Sequence, residues 1–83
     1  MNATVRYFAA ARAAAGVEVE TVTVPSGATV DILLKTVRGA HGDDLARVLD
    51  RCSFLLDEVA VRDRDATLHD GATLDVLPPF AGG

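Results

Sequence analysis

The sequence contains few aromatic residues and one cysteine, and each shortage excludes a class of structure. The aromatic residues are Tyr7, Phe8, Phe54 and Phe80, so alanine, valine and leucine must fill most of the core. A single cysteine, Cys52, excludes an internal disulfide and a thiolate metal cluster. Because Cys52 lies in an apolar pattern, we interpret it as a small core residue rather than a nucleophile.

Long apolar runs and clusters of basic residues are also missing. No stretch approaches the ~18 apolar residues of a membrane-spanning helix, and the N-terminal segment lacks the basic and apolar parts of a secretory signal. We therefore expect a cytoplasmic protein with no membrane contact. The 8 basic residues are dispersed among 12 acidic ones, and the net charge of −4 argues against nucleic acid as a ligand. An acidic surface suits a basic partner, although many soluble domains are acidic for solubility alone.

The residues that are present suffice for one domain. A chain of 83 residues is expected to form a single domain over residues 1–83, because cores rarely divide below ~100 residues. The apolar fraction of 49% and the charged fraction of 24% are typical of a globular domain rather than a disordered chain. An active site in a cleft between two domains is therefore excluded.

The first third of the chain predicts two strands joined by a short helix. Residues 3–8 and 17–24 have the composition of strands, and the alanine-rich residues 9–15 favour a helix that Gly16 ends. The apolar alternation of the second strand shifts by one residue. Val17 and Val19 fall on one side of the strand, whereas valines 22 and 24 fall on the other. Either a bulge or a change of burial near residues 20–21 explains this shift.

The middle of the chain predicts two amphipathic helices. Thr29 is the expected N-cap of the first helix, and Gly39 is expected to end it. Its apolar residues fall at positions i, i+3, i+4 and i+7, namely Val30, Leu33, Leu34 and Val37. A second, shorter helix repeats this spacing with Leu45, Val48, Leu49 and Cys52.

The last third predicts three short strands. Residues 54–56 and 59–61 flank a tight turn at Asp57 and Glu58, and a solvated loop follows at residues 62–65. After a second turn at residues 70–71, the last strand covers residues 73–77, with Leu74 and Val76 facing the main helix and Leu77 the other side. Together these elements predict an α+β domain whose sheet packs on the main helix.

The sequence contains no self-sufficient active site. We interpret His41 and His69 as surface residues, because both lie in turn-like settings without ligand spacing to another side chain. The acidic residues between positions 57 and 70 are interrupted by Arg62 and Arg64 and fit no metal-binding loop. A phosphate-binding glycine-rich loop is also missing, so no metal site is expected.

The C-terminal segment is the most informative part of the sequence. Pro78 and Pro79 hold the chain extended and cannot continue a sheet ladder. Gly82 and Gly83 have no side chains, so this arm narrows to bare backbone that can thread a tight channel, with the α-carboxylate of Gly83 at its tip. We interpret Phe80 as a partner-facing anchor, with folding back on its own sheet as the alternative.

These features resemble the ubiquitin-like β-grasp sulfur carriers, most closely the small subunits of molybdopterin synthases. The motifs that carry the resemblance are Tyr7-Phe8-Ala9 followed by Arg12, the turn Asp70-Gly71, and the ending Pro78-Pro79-x-x-Gly82-Gly83. The resemblance covers the whole chain, and the ending is its most specific part. Where family members often carry Asn-Gly in the middle hairpin, this chain has Leu56-Asp57-Glu58, so the resemblance does not define that hairpin.

The resemblance implies a ubiquitin-like β-grasp fold, with a five-stranded mixed sheet packed on one main helix and additional short helices. It also implies that an E1-like activating enzyme uses ATP to adenylate Gly83, which then becomes a thiocarboxylate. The chain itself would bind no cofactor. Gly82 would give access to the active site of the partner, while a docking arm would consist of Leu77, Pro78, Pro79, Phe80 and Ala81.

The implied partner is the large subunit of molybdopterin synthase, in a heterotetramer of two small and two large subunits. That subunit would hold cyclic pyranopterin monophosphate and receive two sulfurs from successive carriers. Two other interpretations stay open. Related carriers deliver sulfur to cysteine, thiazole or tRNA, although thiazole-type carriers are generally shorter and lack the second helix. A β-grasp interaction module with an unreactive Gly-Gly end is the other interpretation.

Overall fold

The computed structural model describes residues 1–79. They form a five-stranded mixed sheet and three helices, which confirms the predicted α+β domain. The strands lie in the order β2-β1-β5-β3-β4. In chain order the elements are β1 (Asn2–Tyr7), α1 (Ala9–Ala15), β2 (Val19–Thr23), α2 (Val30–His41), α3 (Asp43–Leu49), β3 (Ser53–Leu56), β4 (Val59–Ala60) and β5 (Thr73–Leu77).

The centre of the sheet is a parallel pair formed by the first and last strands. β1 lies beside β5 with Val5 opposite Leu74 and Tyr7 opposite Val76, while β2 and β3 add antiparallel neighbours on the two sides. Because β1 and β5 are parallel, both end at the same edge of the sheet. The amide of Phe8 donates to the carbonyl of Val76 at 3.2 Å. The chain therefore leaves β5 beside the start of α1.

Alternation in the strands and the stripe on α2 build one core. The strand residues Val5, Tyr7, Leu74 and Val76 are buried on the face that the helices cover. As predicted, the buried residues of α2 are Val30, Leu33, Leu34 and Val37, and α3 adds Leu45 and Leu49. Burying a side chain of this size contributes about 1.5–3 kcal/mol, so these residues provide most of the stability of a small domain.

The helix ends agree with the predictions at Thr29 and Gly16, but α2 and α3 do not end where predicted. α3 ends at Leu49, so Cys52, which was predicted to lie on it, follows the helix. Thr29 Oγ1 accepts a hydrogen bond from the amide of Ile32 at 3.2 Å, as expected for an N-cap, and Gly16 ends α1 with φ 76°. The prediction that Gly39 ends α2 is wrong, because the helix continues to His41. Gly42, with φ 89°, is the C-cap. A helix tolerates an internal glycine at a cost of ~1 kcal/mol, and α2 ends where the backbone of Gly42 takes a positive φ.

The shift of alternation in β2 reflects a change of burial and not a bulge. β2 pairs one to one with β1, from Val19 opposite Arg6 to Thr23 opposite Asn2. Glu20 lies opposite the buried Val5 and therefore shares the core-facing side of β2 with the buried Val22. A carboxylate thus occupies the core-facing position that the pattern assigns to an apolar residue. Val19 is consequently left half exposed on the other face.

The middle hairpin has the predicted two-residue turn. Leu56 pairs with Val59, and between them Asp57 and Glu58 adopt φ angles of 48° and 70°. Two consecutive left-handed residues match the right-handed twist of the strands. β4 covers only residues 59–60, one residue fewer than predicted, although the amide of Val61 still donates to the carbonyl of Phe54 at 2.9 Å.

Candidate functional site

The tail root, Leu77-Pro78-Pro79, is where the chain leaves the sheet. Neither proline has an amide hydrogen to donate, so pairing with a neighbouring strand stops at Leu77. Pro78 is buried and Pro79 is exposed. At the tail root, Pro79 and part of Leu77 are therefore accessible to a partner, whereas Pro78 packs against the rest of the domain.

A groove of about 560 Å³ runs beside the tail root, between α1 and α3. Its described lining combines apolar with charged side chains and consists of Ala10, Arg47, Val48, Asp50, Arg51, Pro78 and Pro79. Asp50 Oδ1 accepts a hydrogen bond from an Arg38 guanidinium nitrogen at 2.9 Å, so this carboxylate already has a basic partner. Within residues 1–79, Arg47 and Arg51 form no ion pair within 4.0 Å.

On the other side of the tail root lies the open face of the sheet, formed by Arg6, Phe8, Asp75 and Leu77. Arg6 holds Asp75 with two hydrogen bonds, Nε to Oδ1 at 2.5 Å and a terminal nitrogen to Oδ2 at 2.7 Å. The Asp75 residue is 5% exposed, so this pairing compensates a nearly buried carboxylate. The Arg6 guanidinium lies 5.9 Å from the ring centroid of Phe8, which is 40% exposed.

Leu77 lies on the face of the sheet that its position in the strand predicts. Leu74 and Val76 are fully buried against the helices, whereas Leu77 is half buried and pairs with Ser53 of β3. An exposed aromatic ring and a half-buried leucine next to an arginine are typical of the amphipathic surfaces on which protein partners dock.

His69 is a surface residue, as predicted. Its Nε2 lies 2.7 Å from Asp57 Oδ2, while Asp57 Oδ1 accepts the amide of Thr73 at 3.0 Å. Hydrogen bonds to the Asp70 carbonyl and to Asp57 raise the pKa of His69. The Thr73 amide and then His69 lower the pKa of Asp57. This exposed cluster links the middle hairpin to the turn that precedes β5.

The prediction that His41 is a surface residue is wrong. Its side chain is 17% exposed and its Nε2 pairs with Glu20 Oε2. Tyr7 donates its hydroxyl to the same oxygen at 2.7 Å, and its ring meets the His41 ring edge-on at 5.8 Å between centroids. Burial and then Glu20 raise the pKa of Tyr7. The two residues that α2 adds after Gly39 bring His41 to the carboxylate of β2.

Cys52 has the properties of a packing residue. Its thiol donates to the carbonyl of Val48 at 3.1 Å, and burial raises its pKa. Because the thiolate is the nucleophilic form, a raised pKa disfavours nucleophilic chemistry. Residues 1–79 contain no group of three or more histidine, cysteine or acidic side chains that could hold a metal ion. No helix in this part of the chain has the length and apolar character to cross a membrane.

The predicted site residues divide into two sets. The structure brings Leu77, Pro78 and Pro79 together at the tail root, whereas residues 80–83 lie outside the described residues and their roles stay predictions. Arg47 and Arg51 are not among the site residues predicted from the sequence. Their spacing of four within the predicted helix that carries Leu45 to Cys52 is the available indication, since such a helix has both side chains on one face.

A family model described as the ThiS family matches residues 5–83. The chain belongs to the ThiS family. A relative of this ThiS-family chain is the molybdopterin synthase sulfur carrier subunit of Chlamydomonas reinhardtii, which is 37% identical over 84 residues and is aligned over 100% of both chains.

Two solved structures resemble this ThiS-family chain closely. Small archaeal modifier protein 1 of Haloferax volcanii superposes with a TM-score of 0.89 at 27% identity, with 100% of both chains covered. A candidate molybdopterin converting factor subunit 1 of Pyrococcus furiosus superposes with a TM-score of 0.86 at 27% identity, covering 96% of this chain and 99% of that one. These matches confirm the predicted ubiquitin-like β-grasp fold and the resemblance to this group of carriers.

Proposed function

We propose that this ThiS-family chain is the sulfur-carrier subunit of a molybdopterin synthase. The observation that carries the proposal is the 37% identity, over the full length of both chains, with a molybdopterin synthase sulfur carrier subunit. The ending Pro78-Pro79-x-x-Gly82-Gly83 agrees with it, since such a carrier needs a narrow tail with a reactive carboxylate at the tip.

The proposed chemistry takes place at Gly83. A carboxylate is a poor electrophile because its charge is delocalised over two oxygens, so it must be activated before sulfur can replace oxygen. An E1-like enzyme would let a carboxylate oxygen of Gly83 attack the α-phosphate of ATP, which forms the acyl adenylate and releases pyrophosphate. Sulfur at the oxidation level of sulfide would then displace AMP and leave a thiocarboxylate. Gly82, without a side chain, would let the tip enter a narrow channel.

The proposed recipient is cyclic pyranopterin monophosphate held by the large subunit of the synthase. Each carrier would deliver one sulfur, and two deliveries would complete the dithiolene. The residues after Pro79 number four, which span at most about 13–14 Å when extended. The acceptor atom must therefore lie within that distance of the surface on which the carrier docks. We place the complex, with two small and two large subunits, in the cytoplasm.

Docking would use the tail root and the open face. Pro79 is exposed and Leu77 is half buried, and the exposed Phe8 ring lies on the same side of the sheet. Phe80 and Ala81 would extend this apolar surface onto the tail. The catalytic acids and bases would belong to the large subunit, because within the described residues no arrangement at the tail root supplies them.

A second candidate keeps the fold and changes the destination of Gly83. The likeness to small archaeal modifier protein 1 favours transfer of the activated Gly83 to an amine of another protein, which would form an amide. Sulfur delivery to cysteine or tRNA needs the same thiocarboxylate and differs only in the acceptor. An unreactive interaction module would leave Gly83 unmodified.

The test is reconstitution of sulfur transfer. The thiocarboxylate form of the chain is mixed with the purified large subunit and cyclic pyranopterin monophosphate, and the dithiolene product is quantified. We expect one carrier to revert to the carboxylate for each sulfur transferred. If the carrier keeps its sulfur in this mixture while conjugates to other proteins accumulate in cells, the modifier function is correct and the synthase function is wrong.

A further inference from the structure

Two arginines that form no ion pair with any residue among 1–79 lie next to the tail root of an acidic protein. Arg47 and Arg51 both line the groove between α1 and α3, together with Pro78 and Pro79. Arg47 belongs to the last turn of α3 and Arg51 follows the helix, and the turn after α3 brings both to the same groove. The whole chain carries a net charge of −4, so this local pair of positive charges is opposite in sign to the chain as a whole.

The acidic residues near this pair do not neutralise it. Asp50 is engaged by Arg38. Asp43, one turn before Arg47 on the same helix, forms no ion pair with it within 4.0 Å among the described residues. The apolar lining of the groove comes from Ala10, Val48, Pro78 and Pro79. Among the described residues, the groove therefore combines two guanidinium groups that have no carboxylate partner with an apolar surface.

The position of the groove determines which protein meets it. A protein that encloses the tail must contact the surfaces that flank the tail root, because the tail leaves the domain there. One flank is the open face and the other is the groove. We propose that the groove docks an acidic segment of the protein that encloses the tail, with its carboxylates on Arg47 and Arg51 and an apolar side chain beside Pro78. This inference rests on the proposed function, in which that protein is the large subunit of the synthase.

The charge of this contact is opposite to that of the rest of the carrier. A net charge of −4 attracts a basic partner at long range, but at the tail root the complementary side chains must be acidic. Carboxylates recognise guanidinium groups through paired hydrogen bonds, so the contact also fixes the orientation of the docked carrier. Like charges placed across such an interface repel each other strongly, which makes charge reversal a sensitive probe.

The test compares two doubly substituted carriers of equal charge. R47E/R51E reverses the groove arginines, and K35E/R62E reverses two exposed basic residues that do not line the groove. Binding kinetics to the purified large subunit are measured at low and high salt, and thermal melts check folding. We expect R47E/R51E to bind about 10- to 100-fold more weakly than wild type at low salt, with a smaller deficit at high salt. The control should stay within about threefold.

R47Q/R51Q keeps the shape and helix propensity of the side chains and removes only their charge. It should weaken binding by a smaller factor than R47E/R51E, which separates an electrostatic contact from misfolding. Binding of R47E/R51E equal to that of the control would overturn the inference while leaving the proposed function intact. Tighter binding would overturn it too, since the arginines would then hold the carrier's own C-terminal residues.

Two further results would also count against the inference. Self-association of the wild-type carrier that R47E/R51E abolishes, measured by sedimentation, would assign the groove to a second copy of this chain. No binding of the wild-type carrier to the large subunit would refute the proposed function and, with it, the inference.

Discussion

Leu34 shows how much of the stability depends on a single residue of the core. It lies on the buried stripe of α2 and is 1% exposed. Leu34→Ala should destabilise the domain by about 2–5 kcal/mol, because it removes buried surface and leaves a cavity. Since small domains are stable by only about 5 kcal/mol or a little more, this is most of the total. Urea or thermal unfolding measures the loss.

Ile32→Ala is the matched control for this prediction. Ile32 lies on the same helix but is 39% exposed, so its truncation should cost about 0.5–1 kcal/mol. Equal losses for the two variants would mean that the face of α2 assigned to the core is wrong.

The core residues of α2 could be predicted from the sequence, whereas the environment of His41 could not. The positions of Leu33 and Leu34 follow from the helical period, which is a local property. The burial of His41 depends on α2 continuing past Gly39 and on a carboxylate, Glu20, that lies 21 residues away along the chain. Such a pairing is set by tertiary packing, so local patterns do not reveal it.

The middle hairpin is an element whose turn residues do not suit its geometry. Glu58 has φ 70°, a left-handed conformation that costs a residue with a Cβ atom about 1 kcal/mol and glycine almost nothing. Glu58→Gly should therefore stabilise the domain by about 0.5–1 kcal/mol. Asp57 is left unsubstituted in this variant, because its carboxylate accepts a hydrogen bond from the Thr73 amide.

Glu58→Ala is the control for the hairpin, because alanine removes the same charge and keeps the Cβ atom. Chemical denaturation should show no stabilisation for the alanine variant. If both variants are equally stabilised, loss of the carboxylate and not relief of the left-handed backbone is the cause.

The stability that comes from the contact between this hairpin and the turn before β5 should depend on pH. The pKa of His69 is raised, so its contribution to stability is fully present below the unfolded-state pKa of ~6.5 and is lost as the pH rises through the folded-state pKa. The pKa of Asp57 is lowered, so its contribution is present above ~3.9 and is lost as the pH falls through its folded-state pKa. The His69–Asp57 pair therefore contributes most to the stability of the domain between roughly pH 4 and 6.5.

His69→Gln removes the titration and keeps a hydrogen-bonding side chain. Urea unfolding of wild type and variant, compared from pH 5 to pH 8, should show a small loss of wild-type stability with rising pH that the variant lacks. Both side chains are largely exposed, which keeps the effect modest. Parallel pH profiles for the two proteins would show that the His69–Asp57 pair does not contribute.

Among the elements, types and order could be predicted, whereas the core-facing side of β2 and several boundaries, the end of α2 among them, could not. The shift in β2 became interpretable only with the pairing of Glu20 and Val5, because a strand pattern alone does not say which parity faces the core. Gly39 was expected to stop α2 because glycine is a common helix end. Gly42 stops it instead, since only there does the backbone turn left-handed.

At the scale of the whole molecule, the tail should anchor the carrier to its partner by apolar contact, while charge accelerates encounter. Phe80→Ala should increase the dissociation rate from the large subunit, by a ΔΔG of roughly 1–3 kcal/mol if this ring is a central anchor. Raising the salt concentration should slow association more than it accelerates dissociation. Binding kinetics, with Ile32→Ala as a control, measure both rates. An unchanged dissociation rate for Phe80→Ala would remove Phe80 from the interface.

The chemistry of the tail stays a prediction from the sequence, whereas the surface around the tail root is seen only in the fold. The residues of the ending Pro78-Pro79-x-x-Gly82-Gly83 are contiguous, so the role of this motif can be predicted without knowledge of the fold. The groove combines Ala10 of α1 with Arg47 and Arg51 at the end of α3, which meet beside Pro78 only because β1 and β5 are parallel neighbours. No local pattern contains that information.

Intact mass spectrometry tests most directly whether the Gly83 carboxylate carries the sulfur. The chain is purified from cells with and without the activating enzyme, alongside a variant with one alanine added after Gly83. We predict that only the wild-type chain from cells with the enzyme gains the mass difference between sulfur and oxygen. The extended variant should keep its fold in a thermal melt and gain no sulfur. Thiocarboxylate on the untrimmed extended variant, or an unmodified wild-type chain in the presence of the enzyme, would contradict this role of Gly83.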